Sequence, residues 1–155
     1  MKTKWMVFLI LLLCVTGCKG SDTSEQVIVF NKDHTRYLEQ YGWSIDRFAS
    51  ETKYAPGTLA SFREHLKEMT DKGKLDISAY VNQEVVETGY VLRETTPGYN
   101  LITAYILESD GKWIGSYLVF SHETLDENGN YQTDISSTDE MINSSEVAGL
   151  HPKKK

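Results

Sequence analysis

Four histidines, 22 acidic residues and two cysteines make up most of the reactive groups in this chain of 155 residues. His34, His65, His122 and His151 show neither the His-x-x-x-His nor the Glu-x-x-His spacing that places two metal ligands on one helix face. His65 falls three residues after Phe62, beside an apolar stripe, and reads as a boundary or surface histidine. No Gly-x-Ser-x-Gly turn, phosphate loop or dinucleotide glycine pattern is present. Gly115-Ser116 sits inside an expected strand, where glycine admits close backbone or aromatic approach and serine is no activated nucleophile. Asp126-Glu127-Asn128-Gly129-Asn130 is rich in oxygen ligands. A calcium loop, however, needs glycine where Tyr131 stands and glutamate where Ser137 stands, so this segment reads as a hairpin turn. The carboxylate pairs Glu84/Glu87 and Glu123/Asp126 fall in exposed or turn contexts, with no aromatic cleft to hold a sugar ring between them. These patterns predict no metal site, no cofactor and no catalytic set.

The cysteines point elsewhere. Met1-Lys2-Thr3-Lys4 is basic, and Trp5 to Val15 form eleven uninterrupted apolar residues. That run is shorter than the roughly 20 residues a membrane-spanning helix needs, and it fits the apolar core of an export signal. Val15-Thr16-Gly17-Cys18 then resembles a bacterial lipobox: a branched apolar residue and two small ones before the cysteine that receives a diacylglycerol thioether. Cys14 follows Leu13 and lacks the small residues a signal peptidase grips. A secretory signal cut near Gly17 and an uncleaved anchor are the competing readings. The expectation is a signal peptide over 1–17, a lipidated Cys18 and a flexible tether over 18–25. With Cys14 removed and Cys18 acylated, no thiol is left for a disulfide or a thiolate ligand. The membrane is then a partner through the lipid, since two acyl chains anchor far more firmly than one.

Charge narrows the other partners. The net charge is −6, and loss of Lys2 and Lys4 with the signal leaves 14 bases against 22 acids, or −8. An acidic domain does not displace the counterions of nucleic acid and is repelled by anionic lipid.

The elements that must position any site follow from hydrophobic period. No repeat recurs, and one domain fits the length. Val27 to Phe30 reads as a short edge strand. Asn31 or Asp33 caps a helix with Tyr37, Leu38 and Tyr41 on one face, ended by Gly42. Pro56-Gly57-Thr58 opens a second helix whose stripe is Leu59, Phe62, Leu66 and Met69, stopped at Gly73 with Leu75 placed for a capping contact. Asp76 caps one further turn. The period then changes to two: 85–94, 99–108 and 112–121 read as strands joined by turns at Thr96-Pro97-Gly98 and Asp110-Gly111. Asn128-Gly129 turns one more hairpin returning to about 135. The predicted fold is α+β: an antiparallel meander of three to four strands with two amphipathic helices on one face, over 26–135, followed by a disordered tail over 136–155.

Strict alternation along the last strand places Ile114, Leu118 and Phe120 toward the helix stripe. Trp113 and Tyr117 then share the opposite, uncovered face with Tyr105, as a candidate binding platform.

Tyr41-Gly42-Trp43 with Asp46, Leu75-Asp76-Ile77-Ser78 with Tyr80, and Asp110-Gly111-Lys112 with Ile114-Gly115 resemble a family of small uncharacterised lipoproteins of Gram-positive bacteria, over about residues 36–121. In that family the last motif often continues with a further Gly and an Asp, where this chain has Ser116-Tyr117. The resemblance implies a fold and no activity.

The expected function is a lipid-anchored extracytoplasmic module that binds a protein or peptide of the cell envelope. An envelope hydrolase or its accessory subunit is the alternative, and a histidine–carboxylate pair within hydrogen-bond reach in a pocket would favour it. A plain spacer would instead show a sheet covered on both faces.

Overall fold

The computed structural model describes residues 29–147. The signal segment, Cys18 and the tether lie outside the described residues.

Helix α1, Lys32–Gln40, begins where Asn31 accepts hydrogen bonds from the Asp33 and His34 amides through its side-chain oxygen, and it ends before Gly42, at φ +74°. The chain then enters β1, Ile45–Tyr54, a strand the sequence does not announce. Two bulges, between Ile45 and Arg47 and between Phe48 and Ser50, break its alternation, and only its ends are buried. A short turn over Leu59–Ser61 precedes α2, Arg63–Asp71. The expected continuous helix is interrupted at Phe62, with φ −92° and ψ 60°, so Phe62 leaves the stripe and is 52 % exposed. Beyond α2 the Leu75 amide bonds back to the Met69 carbonyl, closing the helix as expected, although the left-handed residue is Lys74 and not glycine. Asp76 accepts from the amide and the hydroxyl of Ser78, but the N-cap of the single turn Ser78–Tyr80 is Ile77, with no side-chain cap, so the expected Asp76 cap does not form.

Four further strands follow: β2 Val85–Leu92, β3 Leu101–Ser109, β4 Lys112–Leu125 and β5 Tyr131–Glu140. Asp110-Gly111 turns the β3–β4 hairpin with both residues at positive φ. The sheet is antiparallel throughout in the order β1-β2-β3-β4-β5, and it curls into a half-barrel. It is thus mostly antiparallel sheet with a few helices, and it has five strands where three to four were expected. The folded residues also run past 136, the expected start of a disordered tail. β5 continues to Glu140, and the short helix α3, Ser144–Val147, buries Val147 in the core. Of the strand expected at 27–30, Val29 and Phe30 are described and belong to no strand.

The two main helices do not share a face. Leu38 of α1 packs with Tyr90, Ile102, Ala104, Leu118 and Phe120 on the outer face. Met69 of α2 and Leu59 pack with Tyr54, Val85, Leu107 and Tyr117 on the inner face. Leu118 therefore meets α1, and the stripe that was to cover it lies on the other side of the sheet. The physical reason is that β3 and β2 are apolar on both faces. Neither face can be left to water, and one helix serves each.

Candidate functional site

Along β2 the residues Val85, Glu87, Gly89 and Val91 alternate onto the inner face, and this puts a carboxylate under α2. Glu87 is 5 % exposed, against the expectation that it belongs to an exposed pair with Glu84. Three side chains satisfy it. Tyr54, at the end of β1, donates its hydroxyl to Oε2 at 2.8 Å. Tyr117 of β4 donates to Oε1 at 2.5 Å. His65 of α2 brings Nε2 to 3.1 Å from Oε1 and 3.3 Å from Oε2. The register explains how Tyr117 reaches this far: it lies opposite Tyr105, which lies opposite Gly89. The two tyrosine rings stack at 5.0 Å and 12°. A Cβ on Gly89 would stand 2.9 Å from the Tyr105 ring, so the ring can lean over β2 only because no side chain is there.

Electrostatics tie the group together. Burial alone would raise the Glu87 pKa. The hydrogen bonds from His65 and Tyr117, the charge of His65 and the bond from Tyr54 outweigh it, and the carboxyl is held below its ordinary value. His65 is raised, first by its hydrogen bond to Glu87, against partial burial. Burial and the neighbouring Glu87 charge push both tyrosine hydroxyls up, so both stay protonated and donate to the carboxylate. The arrangement is an ion pair steadied by two phenols.

Above this floor is a cleft of about 280 Å³. One wall is α2, with His65, Glu68 and Met69. The other is the inner sheet, with Ser50 and Thr52 from β1 and Ser136 and Thr138 from β5. These are the two edge strands, which a flat sheet would hold about 19 Å apart. The curl brings their hydroxyls to one cavity.

The expected aromatic platform of Tyr105, Trp113 and Tyr117 does not form. A bulge between Leu107 and Glu108 adds a residue to β4, so Trp113 turns to the outer face. There it packs on Tyr37 at 4.3 Å and His34 at 5.4 Å. Ile114 turns the other way, toward the α2 cluster. Tyr117 is 3 % exposed beneath α2, and Tyr105 is half-buried in the cleft wall. Two of the three residues thus meet, inside the cleft and not on an open face.

Other chemistry-bearing residues are accounted for locally. The Ser116 hydroxyl lies 2.6 Å from the Tyr37 hydroxyl on the outer face. His34, buried, stands between Tyr90 at 2.8 Å and Glu108 at 3.2 Å. Burial, then the charges of Glu108 and Glu51, push Tyr90 up to about 12. Asp126 accepts from the amides of Asn128 and Asn130, as a turn residue does. Among the described residues no group of three or more His, Cys, Asp or Glu could hold a metal ion, and no helix is long and apolar enough to cross a membrane.

Glu87, His65 and Tyr54 are the residues that sequence reasoning missed. The available signal was a strand, Val85-Val86-Glu87-Thr88-Gly89-Tyr90-Val91-Leu92, apolar on both sides of its one acid. Such an acid must be buried, and a buried acid needs donors. No family model matches the chain, and neither a curated protein nor a solved structure matches it.

Proposed function

We propose that this chain is a lipid-anchored extracytoplasmic protein whose domain binds a component of the cell envelope in the cleft between α2 and the inner sheet face. The anchor is supported by the order of basic head, short apolar run and small-small-Cys18. One observation carries binding over chemistry: the Glu87 carboxylate at the cleft floor is ionised and engaged by three donors. Such a group orders its surroundings and is a poor proton donor. The site is a preformed concavity with convergent polar groups, as ligand sites are. It replaces the open aromatic face as the place where a partner is held.

The hydrolase reading has one observation in its favour, the His65–Glu87 pair, since a carboxylate that orients a histidine can make it a general base. Against it, among the described residues no hydroxyl is hydrogen-bonded to His65. Cover on both faces also suits a spacer, but a spacer has no use for a polar cavity.

A photoreactive residue placed at Thr52, inside the cleft, and separately at Lys67, on the outer side of α2, tests the reading in intact cells. The expected result is a mass-shifted adduct from position 52 and none from 67, together with acyl-label incorporation that Cys18→Ser abolishes. Equal adducts from both positions, or none, would remove the cleft as the binding site. Label that persisted in Cys18→Ser would remove the anchor.

A further inference from the structure

The inner-face cleft carries a statement about ligand chemistry, which rests on the binding proposal above. Its two acids are already balanced. Glu87 pairs with His65, and Glu68 pairs with Lys72 at 2.9 Å along α2. No lysine or arginine lines the cavity, so nothing there compensates a phosphate or carboxylate, and no unpaired acid is left for an ammonium. A charged ligand would be desolvated without a partner. The Ser50 side chain is hydrogen-bonded to Tyr105, but an apolar ligand would cover the hydroxyls of Thr52, Ser136 and Thr138 and take them from water.

A neutral ligand that carries its own hydroxyls fits both conditions. The half-buried ring of Tyr105, backed by Tyr117, adds an apolar surface against which the C–H face of a saturated ring can rest. The cleft, about 280 Å³, lies just under the range of drug-sized sites. That volume holds one small unit, with α2 as one wall and the sheet as the other. We infer that this cleft recognises a neutral sugar, one ring at a time, through the paired hydroxyls of β1 and β5 and the Tyr105 ring.

Amide chemical shifts of the lipidated full chain in detergent micelles, recorded during titration, test this. The probes are methyl β-glucoside and N-acetylglucosamine as neutral single rings, a neutral disaccharide, glucosamine as a cation, glucuronate as an anion, and trialanine as a peptide. The expected result is a saturable shift at Ser50, Thr52 and Thr138 with a neutral sugar, and at least tenfold weaker binding of both charged sugars. The double variant Thr52→Val, Thr138→Val keeps side-chain shape and is expected to lose at least tenfold in affinity with an unchanged urea midpoint. A disaccharide that binds more tightly than the single rings identifies a glycan end as the source, and equal binding identifies free sugar. Silence with every neutral sugar, charged sugars that bind as well, trialanine that binds in their place, or a double variant that binds like the parent would each overturn the inference. If the position 52 adduct still formed in cells while the sugars were silent, binding in the cleft would stand and the sugar class would fall.

Discussion

At the scale of single residues, Glu87 and the phenols that hold it tie β1, β2 and β4 together. Tyr117 and Leu118 are neighbours on β4, point to opposite faces, and are 3 % and 0 % exposed. A one-sided sheet would make Leu118→Ala costly and Tyr117→Ala cheap. Here both open a cavity, and each is expected to cost about 2–5 kcal/mol, read from urea midpoints. Tyr117→Phe keeps the ring stack and removes one bond to a charged acceptor, for about 1.5–3 kcal/mol. If Tyr117→Ala were nearly neutral, the inner-face packing described here would be wrong. At this scale the sequence was legible where a residue acts locally, as with the Asn31 cap and the Asp110-Gly111 turn. It was illegible where a role depends on distant partners. Glu87 takes its donors from β1, α2 and β4, and its nearest acid in sequence, Glu84, pairs instead with exposed Lys53.

At the scale of elements the deciding features are interruptions of period. The β4 bulge sends Trp113 and Tyr117 to different faces, and two bulges in β1 hide a ten-residue strand behind a pattern with no alternation. A bulge is one residue of slip, which leaves composition untouched and reverses every facing beyond it. By contrast, β2, β3 and β4 were legible because they are rich in Val, Ile, Leu and Tyr and are bounded by turn residues. The link between α2 and β2 gives a pH prediction. Glu87 is lowered from 4.5, so its contribution is present above that value and fades as pH falls through its folded pKa. His65 is raised from 6.5, so its contribution is complete below 6.5 and fades as pH rises through its folded pKa. Between the two ordinary values the pair is whole. The difference in urea midpoint between the parent and His65→Gln is expected to be largest from about pH 4.5 to 6.5 and to shrink as pH rises through the raised His65 pKa. A difference that grew with rising pH would mean that His65 acts as a neutral partner.

For the whole molecule, one helix on each face of a curled sheet leaves the polar cleft as the inner-face site, and the C-terminal segment completes the outer core. The Trp43 indole donates to the Ile142 carbonyl at 2.9 Å, the Ser144 amide bonds to the Tyr41 carbonyl, and Val147 is 2 % exposed. Only eight of the last 35 residues are apolar, which is why composition reads this stretch as a tail although a few of its side chains are anchored. Truncation after Glu140 removes the carbonyl that accepts from the Trp43 N–H and takes Val147 out of the core, and it is expected to cost at least about 1–3 kcal/mol in a urea melt. A truncated chain that melts like the parent would mean that the segment is not held. An ionised, fully bonded carboxylate at the base of the cleft underlies the proposed binding role, and carbon-13 NMR titration of the Glu87 carboxyl measures that state directly. The predicted result is a pKa below 4.5, with the carboxyl charged throughout the neutral range. A value above 4.5 would show that burial defeats the three donors. Glu87 would then not be the fully engaged carboxylate on which the binding reading rests.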